Sequence, residues 1–94
     1  MLDFYADWCV SCKEMERFTF SDPKISSKLD SMLLLQVDVT KNNTDDKELL
    51  KRFHLFGPPG IIFFDRDGVE LNGKRVIGYE KADKFLTSLE RVSQ

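Results

Sequence analysis

Cys9 and Cys12 are the only cysteines in the chain, and they stand directly downstream of the run Met1-Leu2-Asp3-Phe4-Tyr5. This arrangement limits the possible folds more than any other feature. The run is mostly apolar and aromatic, which reads as a strand buried on both faces. From Cys9 to about Phe18 the pattern permits a helix, with Met15 and Phe18 spaced i, i+3. Two cysteines are too few for a disulfide-stapled scaffold, and are the right number for one redox pair.

The remaining punctuation extends this pattern. Ser21-Asp22-Pro23 reads as a helix start, with Ser21 as cap and Pro23 in the first turn, running to about Leu29. Met32 to Val39 reads as a strand. Asn42-Asn43-Thr44-Asp45-Asp46 offers a cap and first-turn acids for a helix reaching Phe53, with Leu49, Leu50 and Phe53 inward. Gly57-Pro58-Pro59-Gly60 stops regular structure, Ile61 to Phe64 is a strand, and Asp65-Arg66-Asp67-Gly68 is a turn. Arg75-Val76-Ile77 makes a short strand, and Lys81 to Val92 an amphipathic helix burying Phe85, Leu86 and Leu89. The order β-α-(α)-β-α-β-β-α predicts an α/β domain, a mixed four-stranded sheet flanked by helices on both faces.

Ninety-four residues suit a single domain, residues 1–94. With 41% hydrophobic and 32% charged residues, the mixture is globular rather than disordered. The formal net charge is −2, with neither sign in a long block, so no nucleic acid or anionic membrane surface is expected as a partner. No apolar run approaches the length of a bilayer span, so no direct membrane insertion is expected of this stretch. A chain that opens inside a core strand is expected to be a fragment of a longer protein.

A redox dithiol needs one exposed thiolate and a second sulfur near enough to resolve the mixed disulfide. At a helix start, unsatisfied N–H groups and the helix dipole stabilise a thiolate at Cys9, while Cys12 lies one turn on and is more covered. Cys9 attacks a substrate disulfide, and Cys12 then attacks the mixed disulfide and releases reduced product. Two other classes stay open. The pair could be half a zinc site, although zinc wants four ligands and the only histidine is His54. It could be a structural disulfide in a non-catalytic binding module, although so small a loop gains little from cross-linking. No metal and no cofactor beyond the Cys9–Cys12 disulfide is expected. His54 reads as a capping or surface residue at a helix end.

The segment Phe4-Tyr5-Ala6-Asp7-Trp8-Cys9-Val10-Ser11-Cys12-Lys13 resembles the thioredoxin active site, and the element order and Gly57-Pro58-Pro59 are similar to the same superfamily. More narrowly, Tyr5 to Glu14 followed by Thr19-Phe20-Ser21-Asp22-Pro23 resembles the C-terminal periplasmic domain of the DsbD family of thiol:disulfide interchange proteins. The resemblance covers the chain apart from a leading strand and helix that would precede residue 1. It implies a relay, on the periplasmic side of a bacterial inner membrane, that takes electrons from a transmembrane donor and passes them to periplasmic thiol/disulfide proteins, including those of cytochrome c maturation. The alternative is a free-standing thioredoxin-like reductase in the cytoplasm. A monomer is expected. The resemblance carries over Cys9 as nucleophile, Cys12 as resolving thiol and Pro59 as a cis-proline facing the sulfurs.

Two acids join the expected site. Asp3 lies in the central strand, where thioredoxins carry a buried acid, and Glu16 is four residues beyond Cys12 on the same helix. Such carboxylates can take a proton from the resolving thiol, and as anions they disfavour a nearby thiolate. Met32 to Leu35 offers no compensating lysine, so Cys9 is expected to be sluggish toward small alkylating agents. Trp8 is expected to pack beside the site and help bind partners. Pro58 departs from the thioredoxin pattern, because it has no N–H with which to pair an incoming substrate segment.

Overall fold

β1 (Leu2–Tyr5) is the inner strand on which the fold is assembled in the computed structural model, which describes residues 1–92. It pairs in parallel with β2 (Leu35–Asp38) and antiparallel with β3 (Gly60–Ile62), which pairs in turn with β4 (Val76–Ile77). The sheet order is β2-β1-β3-β4. A parallel pair needs a long crossover, and α1 (Val10–Glu14) and α2 (Pro23–Leu29) supply it. α3 (Thr44–Arg52) joins β2 to β3, and α4 (Ala82–Val92) follows β4. The mixed sheet with helices on both faces is the architecture expected from the element order.

Strand alternation divides the core in two. Phe4, Ala6, Val39 and Ile62 pack with Leu50 of α3, with Leu55, and with Cys9 and Cys12. On the other face Ile61, Phe63 and Val76 pack with Met15, with Ile25 and Leu29 of α2, and with Phe85 and Leu89 of α4. Phe4, Phe63 and Phe85 are fully buried, each removing apolar surface worth about 2–3 kcal/mol. Phe20 meets Phe85 edge to face at 5.4 Å, fastening the end of the first crossover helix to α4.

Several local expectations need correction. The first helix does not continue as α-helix to Phe18, because residues Met15–Thr19 form a π-helical turn in which the Phe20 amide donates to the Met15 carbonyl at 2.8 Å. The widened turn leaves Phe18 exposed, beneath the Arg17 guanidinium at 5.3 Å, instead of on the inward side with Met15. Asp22, not Ser21, caps α2. Its carboxylate accepts from the Lys24 amide at 2.9 Å, while the Ser21 hydroxyl is turned back to the Arg17 carbonyl at 2.5 Å. β2 begins only at Leu35, and Leu33, Leu34 and Leu35 are exposed. β3 ends at Ile62 and does not run to Phe64, which forms an isolated bridge with Glu70 and lies partly buried against the first cluster. Asn43 caps α3 as expected, accepting from the Asp46 amide at 2.9 Å.

Candidate active site

The chain leaves β1 at Tyr5 and reverses within a tight turn, in which the Cys9 amide donates to the Ala6 carbonyl at 3.1 Å. Cys9 is the N-cap of α1, with extended backbone (φ −89°, ψ 102°). Its sulfur accepts from the Cys12 amide at 3.1 Å, taking the place that a serine or aspartate oxygen occupies in other caps. Cys9 and Cys12 are joined in a disulfide, with Cα atoms 5.3 Å apart. Both are more covered than a freely exposed nucleophile, Cys9 being 6% exposed and Cys12 3%. The difference has the expected sign and is small.

The loop before β3 reaches the same end of the sheet. Phe4 pairs with Gly60, so Pro59 immediately precedes the strand that lies beside the end of β1, where β1 gives way to the cysteine turn. The Pro58–Pro59 bond is cis, and the Pro59 carbonyl accepts from the Gly78 amide at 3.1 Å. Gly60 packs tightly, since a Cβ there would meet Leu55 Cδ1 at 3.0 Å and the leucine would have to give way. Trp8 stands next to Cys9 with 55% of its surface exposed, its indole N–H donating to the Thr40 carbonyl at 2.9 Å. Phe56, just before the proline loop, is fully exposed.

Asp3 pairs in register with Ile61 and so belongs to the α2–α4 face, opposite the cluster that holds the sulfurs. Burial pushes its carboxyl up to about 6, a hydrogen bond with Gln36 opposes that rise, and the charge of Glu16 adds to it. Glu16 itself is exposed, because it lies in the π-helical turn rather than on a continuing α-helix. The two expected acids are therefore coupled through charge but differ sharply in burial. Tyr5 is pushed up to about 12, chiefly by its hydrogen bond to Asp7 at 2.9 Å. Among the described residues no group of three or more His, Cys, Asp or Glu could hold a metal ion. His54 is exposed at the end of α3 in the left-handed region (φ 58°).

Sequence reading missed Thr40 and Asp38, which tie the Asp7-Trp8 turn to the end of β2. The Asp-x-Thr spacing at a strand end signals a local turn. It carries no sign of the partners 32 and 33 residues away.

A thioredoxin-like domain model matches residues 1–93. A thiol:disulfide interchange protein DsbD from Ralstonia nicotianae is 59% identical over 91 residues, which are 97% of this chain and 15% of that protein. The chain thus spans less than a sixth of the length of that relative. The C-terminal domain of Neisseria meningitidis DsbD in its oxidised form superposes with a TM-score of 0.82 at 43% identity, covering 96% of this chain and 76% of that one. A thioredoxin from Thermus thermophilus superposes with a TM-score of 0.80 at 26% identity, covering 98% of this chain and 71% of that one.

Proposed function

The chain belongs to the thioredoxin-like domain family, and on that premise we propose that it is an electron-relay domain working by dithiol–disulfide exchange. The observation that carries the proposal is the Cys9–Cys12 disulfide placed at a helix start, with the Cys12 amide aimed at Cys9 Sγ. A hydrogen bond to sulfur stabilises the thiolate over the thiol. Reduced Cys9 attacks one sulfur of a partner disulfide, forming the Cys9–partner bond and expelling the other partner sulfur as a thiolate. Cys12, deprotonated, then attacks Cys9 Sγ, regenerating the Cys9–Cys12 disulfide and releasing the second partner thiolate. Two electrons pass to the partner, and the two cysteine protons pass to its thiols or to solvent.

Each further residue has a role in this reading. Asp3, pushed up to about 6 chiefly by burial with the charge of Glu16 adding to the rise, tunes the thiols through its charge and not by contact. Trp8 and the Pro58–Pro59 loop bind the partner segment, with Pro58 offering no N–H to it. The likeness to DsbD supports a periplasmic setting beside a bacterial inner membrane, within a longer membrane protein. There a transmembrane dithiol supplies the electrons and periplasmic proteins accept them. No helix among the described residues is long and apolar enough to cross a membrane.

A redox titration of the full chain against thiol buffers tests the exchange chemistry. The pair should titrate reversibly as a two-electron couple between about −120 and −300 mV, where exchange-active disulfides lie. A pair still oxidised well below that range would mark the bridge as structural and defeat the proposal.

A further inference from the structure

Four hydrogen bonds converge on Thr40, one residue past the Val39 that follows β2. The Asp7 amide donates to Thr40 Oγ1 at 2.9 Å, and the Trp8 indole N–H donates to the Thr40 carbonyl at 2.9 Å. The Thr40 amide donates to Asp38 Oδ1 at 2.8 Å, and the Thr40 hydroxyl donates to the same oxygen. Their polarity is dictated by chemistry. A backbone amide only donates, so Thr40 Oγ1 accepts from Asp7 and has a single proton left for Asp38. Asp38 accepts twice as a carboxylate, and these bonds hold it below the ordinary carboxylate range. The hydroxyl therefore has one orientation.

What this arrangement grips is informative. Asp7 and Trp8 are the two residues between Ala6 and Cys9, inside the turn that delivers the nucleophile to the start of α1. Both are exposed. An Asp-x-Thr turn that merely terminated β2 would need its two bonds to Asp38 and nothing more. The other two reach across 33 and 32 residues to the active-site turn. A half-exposed indole without such an anchor would have to be ordered at each encounter with a partner, an entropic cost that prior fixing avoids.

We propose that Thr40 is a positioning residue for the exchange reaction. It holds the Asp7-Trp8 turn and the Trp8 ring in the pose that meets the partner polypeptide, with Asp38 as its anchor. It acts through Trp8 and the turn. The inference rests on the exchange function proposed above.

The chain has a single tryptophan, so its fluorescence reports Trp8 alone. In the full chain, Thr40→Val keeps the carbonyl and the side-chain shape but leaves the Asp7 amide without its acceptor. The change in emission between the oxidised and reduced states should fall by at least half relative to wild type. In insulin reduction with dithiothreitol as donor, KM should rise about fivefold, in line with one net hydrogen bond, with kcat nearly unchanged. Thr40→Ser should restore both readouts, and Asp38→Ala should move them the same way by a smaller amount. Wild-type emission and KM in Thr40→Val would overturn the proposal, as would a Thr40→Ser protein as impaired as Thr40→Val. If wild type itself fails to reduce insulin, the exchange reading fails, while the emission readout still decides whether Thr40 holds Trp8.

Discussion

The sheet face covered by α3 and the face covered by α2 and α4 bury different things. The α3 face holds both sulfurs, in a cluster with Phe4, Ala6, Val39, Leu50, Leu55 and Ile62. The opposite face holds two fully buried phenylalanines, Phe63 and Phe85, and with them Asp3, the ionisable group that burial shifts most plainly. β1 supplies both faces by simple alternation, Phe4 to one and Asp3 to the other. The two faces therefore differ in chemistry more than in packing: the sulfurs lie with one cluster, and the carboxyl of Asp3 lies with the other.

The largest effects should fall on the sulfur face. Cys9→Ser should abolish reduction of disulfides, and Cys12→Ser should trap a mixed disulfide with the partner, seen on a non-reducing gel. Trapping by Cys9→Ser instead would reverse the assigned roles. Next in size, Phe85→Ala on the opposite face should cost about 3–5 kcal/mol in denaturant unfolding, while the folded fraction keeps its exchange rate. A drop in rate per folded molecule would break the separation of the two faces.

Asp3 sharpens the comparison because it links them. Its carboxyl is protonated more readily in the folded chain than in the unfolded one, rising from 3.8 to about 6. The associated stability is therefore fully present below about pH 4 and is lost as pH rises through about 6, an amount of about 3 kcal/mol. Asp3→Asn should be more stable than wild type above pH 6, with the two converging below pH 4 in urea melts. In the reduced protein, alkylation of Cys9 should shift to lower pH in Asp3→Asn and less so in Glu16→Gln, since Glu16 is exposed. Unchanged profiles in both variants would make the carboxylates bystanders. The smallest effect concerns the crossover: Asp22→Ala should cost about 1 kcal/mol, whereas Ser21→Ala should leave the α2 cap intact.

Much of this was legible in advance for local reasons. Period-2 alternation, a cap such as Asn43 and the spacing of Cys9 and Cys12 all act within a few residues. The failures share one cause. Nothing in Met15-Glu16-Arg17-Phe18-Thr19 announces a π-helical turn, which is set by what Met15 and Thr19 must reach in the folded chain. The Met15 sulfur accepts from the Glu80 amide at 3.3 Å, and the Thr19 hydroxyl donates to the Glu80 carbonyl at 2.6 Å. Both bonds cross more than sixty residues, and together they pull that turn toward the segment before α4. Exposure of Leu33 to Leu35 was equally hidden, because an apolar run does not say where its strand begins or whether that strand lies at a sheet edge.

By itself the sequence determined the redox pair, the strand and helix that hold it, and the order of elements that makes a mixed sheet, because each depends on near neighbours. Tertiary structure alone decided that Glu16 is exposed while Asp3 is partly buried on the face opposite the sulfurs, and that Thr40 grips the turn before Cys9. Those facts depend on register between strands and on hydrogen bonds between distant segments, and neither exists until the sheet has closed.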